Sequence, residues 1–312
     1  MPEEEHNLVR IVQDFVDAHR LMCHLFALHR HGSLRFAEVE QLVGNDEESV
    51  LFRLKERCHE SFRVGGDAET GTADRHALFD LAVGSLFHEV MNFRENFYQC
   101  EVYGPRVRQL RDQADPDTRM LFEEFEKILA TASDRLVEGR SEAESLLDQT
   151  AQELRMLLRL HADDGRVTRF LLEHEVDVEE VFGLPMDELL AEIHGVPSLG
   201  RLRAAHSYLG GGHYAQAAAC FEAAAAADDS DTSISGLAAF ARGMARYLER
   251  DAAECLREFS NWQAAQPRDQ ASHETLARAA VEVCRQLAER EGAEGLVSQA
   301  DAVLGRLRRA TN

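Results

Sequence analysis

The sequence predicts an all-α, mainly helical protein throughout its 312 residues. Two observations support this fold class. Apolar residues recur at intervals of three and four along most of the chain, which is the period of an amphipathic helix. Glycine and proline, which end helices, stand between these segments. We expect three parts: a helical N-terminal module over residues 1–82, a helical bundle over 83–197, and stacked helical hairpins over 198–312.

The composition is that of a globular protein, with 45% hydrophobic and 29% charged residues. A formal net charge of −22 repels phosphate backbones and anionic membranes, so proteins are the expected partners and nucleic acid is disfavoured. The six cysteines are widely spaced and form no C-x-x-C pair, as in buried thiols of a reducing compartment. The acidic start of the chain, together with the lack of a run of about 18 apolar residues, predicts a cytoplasmic protein without membrane contact.

The N-terminal module begins with a long amphipathic helix over residues 7–30, which Gly32 ends. A short helix follows over residues 36–43. A longer helix is expected after Asn45 or Asp46, because these side chains are good N-caps. Helix, glycine, short helix, glycine and longer helix is the order of a helix-turn-helix.

Two short strand-like runs, residues 61–64 and 76–81, flank a glycine-containing loop and could form a β-ribbon. With them, residues 20–82 resemble the winged helix-turn-helix class. The resemblance is carried by Gly32-x-Leu34-x-Phe36-x-Glu38-Val39-x-x-Leu42-Val43-Gly44 and Val50-x-x-x-Leu54. It implies an N-terminal winged-helix-like module whose longer helix is the recognition helix.

That helix and its flanks contain four cations that could contact phosphates or guanine edges: Arg53, Lys55, Arg57 and Arg63. They also contain five acids: Asp46, Glu47, Glu48, Glu56 and Glu60. Three consecutive acids at the start of a helix oppose its approach to phosphate. Protein contact or dimerisation is therefore favoured, and DNA contact is the alternative.

The central bundle should begin with a helix over residues 84–103, rich in large apolar side chains and ended by Gly104-Pro105. Two amphipathic helices, over residues 117–138 and 141–161, should then pair as an antiparallel hairpin. The second would start at the capping box Ser141-x-x-Glu144.

Short helices are expected over residues 167–182 and 186–193, with Pro185 between them. The apolar helix over residues 84–103 and the region from Met120 to Leu158 are candidate dimer interfaces. Packing within the core is the alternative for both.

The C-terminal part contains a repeated spacing. Steps of 12, 4, 3 and 5 residues separate Ala205, Ala217, Phe221, Ala224 and Asp229, and the same steps separate Gly243, Cys255, Phe259, Trp262 and Pro267. Small residues stand where two helices must approach closely, and phenylalanine stands where hairpins meet.

On these residues the chain resembles the tetratricopeptide repeat family, although its two copies are offset by 38 residues instead of about 34. A third hairpin, over residues 274–289 and 293–309, lacks the spacing and is expected to cap the stack.

The resemblance implies that the first helix of each hairpin lines a concave groove that binds a protein partner. Seven residues are expected there: Leu202, His206, Leu209, Phe240, Met244, Tyr247 and Leu248. So apolar a groove suits an apolar helix or an extended segment, and internal packing is the alternative. The function expected is a non-enzymatic cytoplasmic adaptor or scaffold. The alternative is a transcription regulator with an N-terminal DNA-binding module and a C-terminal sensor domain.

We expect no catalytic residue, metal or cofactor. The run Gly210-Gly211-Gly212 has no G-K-[ST] after it. Spacings of five and two residues keep His19, His24, His29 and His31, with Cys23 among them, off a single helical face. A di-iron bundle needs two Glu-x-x-His helices, and the two matches in the chain lie outside the bundle. An enzyme built on the bundle therefore ranks third.

Overall fold

The computed structural model describes residues 2–44, 49–64, 72–227, 232–265 and 271–310. Every regular element in these ranges is a helix, which confirms the predicted all-α fold class. Within the same ranges, no helix combines the length and the apolarity needed to cross a bilayer.

The helices follow one another along the chain as α1 (Pro2–Arg30), α2 (Phe36–Val43), α3 (Val50–Val64), α4 (Thr72–Tyr98), a π-helical turn (Gln99–Tyr103), α5 (Gly104–Gln113), α6 (Pro116–Leu160), α7 (Gly165–Glu173), α8 (Glu175–Phe182), α9 (Met186–His194), α10 (Pro197–Gly210), α11 (Tyr214–Ala227), α12 (Thr232–Leu248), α13 (Ala252–Ala264), α14 (Ala271–Glu291) and α15 (Glu294–Ala310). They form two compact units. The N-terminal unit is Met1–His161 with Glu175–Leu184, and the C-terminal unit is Ala162–His174 with Pro185–Asn312.

The N-terminal unit has its core between α1, α3, α4 and α6. Aromatic side chains fill much of it. The rings of Phe26 and Phe93 meet edge to face at 5.7 Å, and Phe15 meets Phe79 in the same way at 6.4 Å. Edge-to-face contacts of this kind stabilise a core beyond the area that they bury.

The predicted β-ribbon is wrong, because residues 61–64 end α3 and residues 76–81 lie inside α4. Buried side chains follow the helical period through this region, at Phe79, Val83 and Leu86. The expected boundary between residues 82 and 83 also falls within α4. Residues 45–48 and 65–71, which include the expected N-caps and most of the expected loop, lie outside the described residues.

The predicted hairpin over residues 117–161 is also wrong, since α6 is a single helix of 45 residues. A Cβ at Gly139 would lie 3.0 Å from Oε1 of Glu89, so this glycine allows close approach to α4 and does not end a helix. Ser141 is not an N-cap, because its hydroxyl donates to the Val137 carbonyl at 3.3 Å. The true N-cap is Asp115, whose carboxylate accepts from the backbone N–H groups of the first turn.

Gly104-Pro105 does not end a helix either. The N–H of Gly104 donates to the carbonyl of Gln99, five residues back, and α5 continues directly from the π-helical turn. Pro105 stands in the first turn of α5, where its missing N–H leaves no hydrogen bond unmade.

The C-terminal unit contains the three expected hairpins, α10–α11, α12–α13 and α14–α15. The repeated small and aromatic positions that the structure describes are buried: Ala205, Ala217, Phe221, Ala224, Gly243, Cys255, Phe259 and Trp262. Asp229 and Pro267, which complete the two spacings, lie outside the described residues. The small side chains therefore do stand where helices approach one another.

An ion-pair network joins the first two hairpins. Nε of Arg242 on α12 donates to Glu258 on α13 at 2.9 Å, and the other arm of Arg242 pairs with Glu222 on α11. Burial alone would raise the pKa of Glu258, but hydrogen bonds from Arg242 lower it overall. Glu258 is therefore a buried carboxylate that stays ionised, and Arg242 links it to Glu222 across three helices.

Candidate functional site

The expected nucleic-acid cations are occupied within the N-terminal unit. Arg57 forms an ion pair with Asp14, and Nε of Arg53 lies 4.0 Å from the same carboxylate. Asp14 is almost fully buried; burial raises its pKa, while the two guanidinium groups act to lower it. These cations neutralise a buried acid, so they are poorly placed to neutralise phosphates.

Lys55 is held in a different way, with its ammonium 4.8 Å from the ring centre of Phe87 and 3.8 Å from Glu56. The side chain of Arg63 lies outside the described residues. Each of the three described cations thus has a partner on its own unit. Among the described side chains of α3, Arg53, Lys55 and Arg57 therefore do not form a row of unpaired cations that would support DNA binding.

A cavity of about 650 Å³ lies between α1, α6 and α8 of the N-terminal unit. On its wall, Sγ of Cys23 lies 3.7 Å from Nδ1 of His19. Burial, followed by the charges of Glu180 and Asp148, raises the pKa of Cys23, and burial lowers the pKa of His19. The pair is therefore a neutral thiol beside a neutral imidazole near pH 7, and lacks the thiolate of an activated nucleophile.

The described histidines and cysteines do not assemble a metal site. In the part of the chain that the structure describes, no three His, Cys, Asp or Glu side chains are grouped so that they could hold one ion. Among the histidines considered above, His29 packs its ring edge to face on Phe93 at 5.3 Å, and His19 faces Cys23. Both are packing or hydrogen-bonding residues of the N-terminal unit.

Two of the expected groove residues belong to the core. Phe240 is fully buried, with its ring 5.3 Å from that of Trp262, and Met244 is buried in the same cluster. The physical reason is that α11, α13 and α14 all pack against α12, so little of this helix faces solvent. Phe240 and Met244 therefore offer no surface to a ligand, and the interpretation as internal packing holds for them.

On α10 the expected groove residues are partly covered. Leu202 and Leu209 are half-buried against the core of the first hairpin. His206 packs its ring edge to face on Phe221 at 5.2 Å, and burial lowers its pKa. Leu202 and Leu209 therefore pack along the hairpin, and His206 remains exposed beside Phe221.

The remaining two, Tyr247 and Leu248, lie on an apolar cleft of about 450 Å³. We call this the Leu248 cleft, and it is lined by Tyr247, Leu248, Arg250, Ala252, Val283, Cys284 and Leu287. Leu248 is 63% exposed, Val283 38% and Leu287 37%. Val283 and Leu287 were missed because α14 was interpreted only as a cap, yet Leu276, Val283 and Leu287 mark a second apolar line on that helix.

Arg250, at the rim of the cleft, has an unusual backbone conformation. Its φ of +64° makes it the only non-glycine residue with positive φ in the described ranges. It ends α12 in a Schellman turn. The N–H of Arg250 donates to the backbone carbonyl of Tyr247 at 3.1 Å, and the N–H of Asp251 donates to the backbone carbonyl of Arg246 at 3.0 Å. Such a turn normally requires glycine, because a Cβ in the left-handed region costs an L-residue about 1–2 kcal/mol.

The other two hairpins of the unit show what is normal at this position. Gly212 and Gly292 have φ of +75° and +71°, and each makes the same pair of backbone hydrogen bonds. Arg250 follows Gly212 by 38 residues, which is the offset between the two repeat copies. One of three equivalent turns therefore retains a long cationic side chain where glycine would be less strained.

The neighbouring cations have partners, whereas Arg250 has none in the described part of the chain. Arg246 pairs with Glu249 at 2.6 Å, and Arg285 of α14 pairs with Glu282 and Glu289 at 2.9 and 2.6 Å. Arg250 is exposed and makes no such pair. Its guanidinium is thus available to a ligand that lies in the cleft.

No family model, curated protein or solved structure matches this chain.

Proposed function

We propose that the protein is a non-enzymatic cytoplasmic adaptor or scaffold whose C-terminal helical hairpins bind a partner protein at the Leu248 cleft. One observation carries the proposal: Arg250 keeps a free guanidinium at the rim of an apolar cleft in a backbone conformation that favours glycine. Strain of this kind persists where a side chain has a use that outweighs it.

The cleft itself specifies the apolar part of the ligand. Exposed side chains of Leu248, Val283 and Leu287 form its walls, and its volume is within the range of about 300–1,000 Å³ typical of ligand sites. An aliphatic or aromatic side chain that enters it would cover apolar surface on both partners. Such burial is worth about 25 cal/mol per Å² before the cost of association is subtracted.

Arg250 specifies the polar part. A guanidinium with five N–H donors matches a carboxylate in a two-pronged geometry. We therefore expect the ligand to be a segment with one or two large apolar residues and an aspartate, a glutamate or a C-terminal carboxylate beside them. In the resemblance to tetratricopeptide repeats, binding of a peptide segment is the expected mode.

Random peptides displayed on phage test this proposal. Selection on the full chain should enrich sequences with apolar residues at a fixed spacing from an acidic residue, and Leu248→Asp should abolish their binding. The matched control is Leu81→Asp, which changes an equally exposed leucine on the N-terminal unit and should leave binding unchanged. A selection that enriches no sequence, or sequences that bind Leu248→Asp at full strength, would refute a binding role for the cleft.

A further inference from the structure

The first half of α6 carries an apolar stripe that is open to solvent. Leu121, Phe125, Ile128 and Ala132 succeed one another at steps of four, three and four residues, which is the spacing of a coiled-coil seam. The first three are 63%, 53% and 57% exposed, whereas Ala132 is 3% exposed. We call these four residues the Phe125 stripe; it enters the core at its C-terminal end and is uncovered before that.

The stripe lies on the line that leads into the face with which α6 packs on its own unit. That inner face continues along Leu136, Ala143, Leu147 and Leu154, all of them buried. On the inner side of the first half, Glu126 forms an ion pair with Arg111 of α5. The unit therefore covers this line over the second half of α6 and leaves it uncovered from Leu121 to Ile128.

Two unpaired charges flank the stripe at nearly equal distances from its middle. Asp117 and Arg135 are 18 residues apart, which is five full helical turns, so they lie on one line along the helix. Both are exposed, and neither has an ion pair in the described ranges. The midpoint between them is position 126, between Phe125 and Ile128.

A second copy of the same helix matches this arrangement. In an antiparallel pair about a two-fold axis, each flank of one helix faces the same flank of the other in reverse order. With the axis at position 126, Asp117 of each copy faces Arg135 of the other, and Phe125 and Ile128 interlock near the axis. A parallel pair would instead place Asp117 opposite Asp117 and Arg135 opposite Arg135.

We propose that the chain forms a homodimer through the Phe125 stripe, with the two α6 helices antiparallel and Asp117 paired with the partner copy's Arg135 at both ends. The occupant is a second copy because both the apolar seam and the charge order are self-complementary. Glu124 would approach its own counterpart near the axis, but its charge is already offset by Lys127 at 2.6 Å. This proposal does not depend on the Leu248 cleft.

Sedimentation velocity of the full chain over a concentration series tests the interface. The wild type should sediment as a dimer, and Phe125→Asp with Ile128→Asp should make it a monomer with an unchanged helical circular dichroism spectrum. The control is Val137→Asp on another face of the same helix, where an exposed valine should be dispensable for dimerisation. A monomeric wild type, or a dimer that survives the double substitution, overturns the proposal.

A charge swap tests the antiparallel register. Asp117→Arg and Arg135→Asp should each weaken the dimer by roughly tenfold or more, because symmetry turns two ion pairs into two repulsions. Both changes together should restore the dimer to near its original strength. Failure of the double variant to recover would overturn the antiparallel pairing, whatever the single variants do.

Discussion

Replacement of Arg250 by glycine should move the stability and the binding of this protein in opposite directions. The structure places Arg250 at φ +64°, so glycine removes a backbone cost of about 1–2 kcal/mol. Glycine also gives the unfolded chain more freedom, which takes back roughly 0.5–1 kcal/mol. The net expectation is a gain of about 0.5–1 kcal/mol in the free energy of unfolding, or a Tm higher by about 1–4 °C.

The same change removes the free guanidinium from the Leu248 cleft. A peptide selected for its acidic residue should then bind about tenfold more weakly, which corresponds to one solvent-exposed charge-assisted hydrogen bond of about 1.4 kcal/mol. Urea unfolding can be followed by fluorescence of Trp262, the single tryptophan, which is buried in the C-terminal unit. Fluorescence anisotropy of a labelled peptide measures the affinity.

The reverse change supplies the control. Gly212→Arg places an arginine in the equivalent turn of the first hairpin, at φ +75°, and should lower the free energy of unfolding by about 1 kcal/mol without any effect on binding. The reasoning is refuted if Arg250→Gly lowers the stability, because the left-handed conformation would then carry no strain. It is equally refuted if stability rises and peptide affinity does not change, because Arg250 would then have no ligand.

Two further predictions concern the core of the C-terminal unit. A Cβ at Gly243 would lie 2.9 Å from Cε1 of Phe259, so Gly243→Ala should destabilise the unit by up to about 2 kcal/mol, since overpacking of about 1–3 kcal/mol outweighs the gain of about 1 kcal/mol in helix propensity. A Cβ at Gly305 in α15 would have no neighbour within 4 Å, so Gly305→Ala should instead stabilise the unit. Urea unfolding measures the free energy of unfolding of both variants, and a change of the same sign in both would contradict this prediction. His194 donates to or accepts from Thr168 at 3.1 Å, and burial, with Arg203 nearby, lowers its pKa from 6.5 to about 4. Because the unfolded state binds this proton first, stability is lost as the pH falls from 6.5 towards 4; the loss between pH 7 and pH 5 should be about 2 kcal/mol. Urea unfolding at the two pH values, followed by Trp262 fluorescence, should show this loss of unfolding free energy in the wild type and a smaller loss in His194→Asn. Equal losses in the two proteins would mean that His194 does not contribute.

The sequence predicted the C-terminal hairpins well because small residues and phenylalanines recur there at a fixed spacing, and the structure buries them. It failed at the break expected between residues 138 and 141, because Ser141-x-x-Glu144 has the residues of a capping box although it lies inside an unbroken helix. The same limit applies to Phe240, which was placed in a groove. Only the packing of α11, α13 and α14 around α12 reveals that this side chain has no access to solvent.

Arg250 could have been found from the sequence. The offset of 38 residues aligns it with Gly212, and a charged residue at an expected helix-ending glycine is a visible departure. The strand predicted over residues 76–81 could not have been recognised as a helix from those residues alone, because so short an apolar run fits both the helical and the strand period. Only the continuation of buried positions through Val83 and Leu86 distinguishes the helix.

Because α6 is one unbroken helix, the direction in which its first half faces is fixed by the direction in which its second half faces. Each residue turns a helix by about 100°, so deletion of one residue between Ala132 and Gly139 would rotate the Phe125 stripe by that angle relative to the face that packs on α4. Deletion of a whole heptad would change the angle by only about 20°. Length variation in this helix is therefore expected to be tolerated in steps of seven residues, a periodicity imposed by rotation and not by any side chain within the deleted segment.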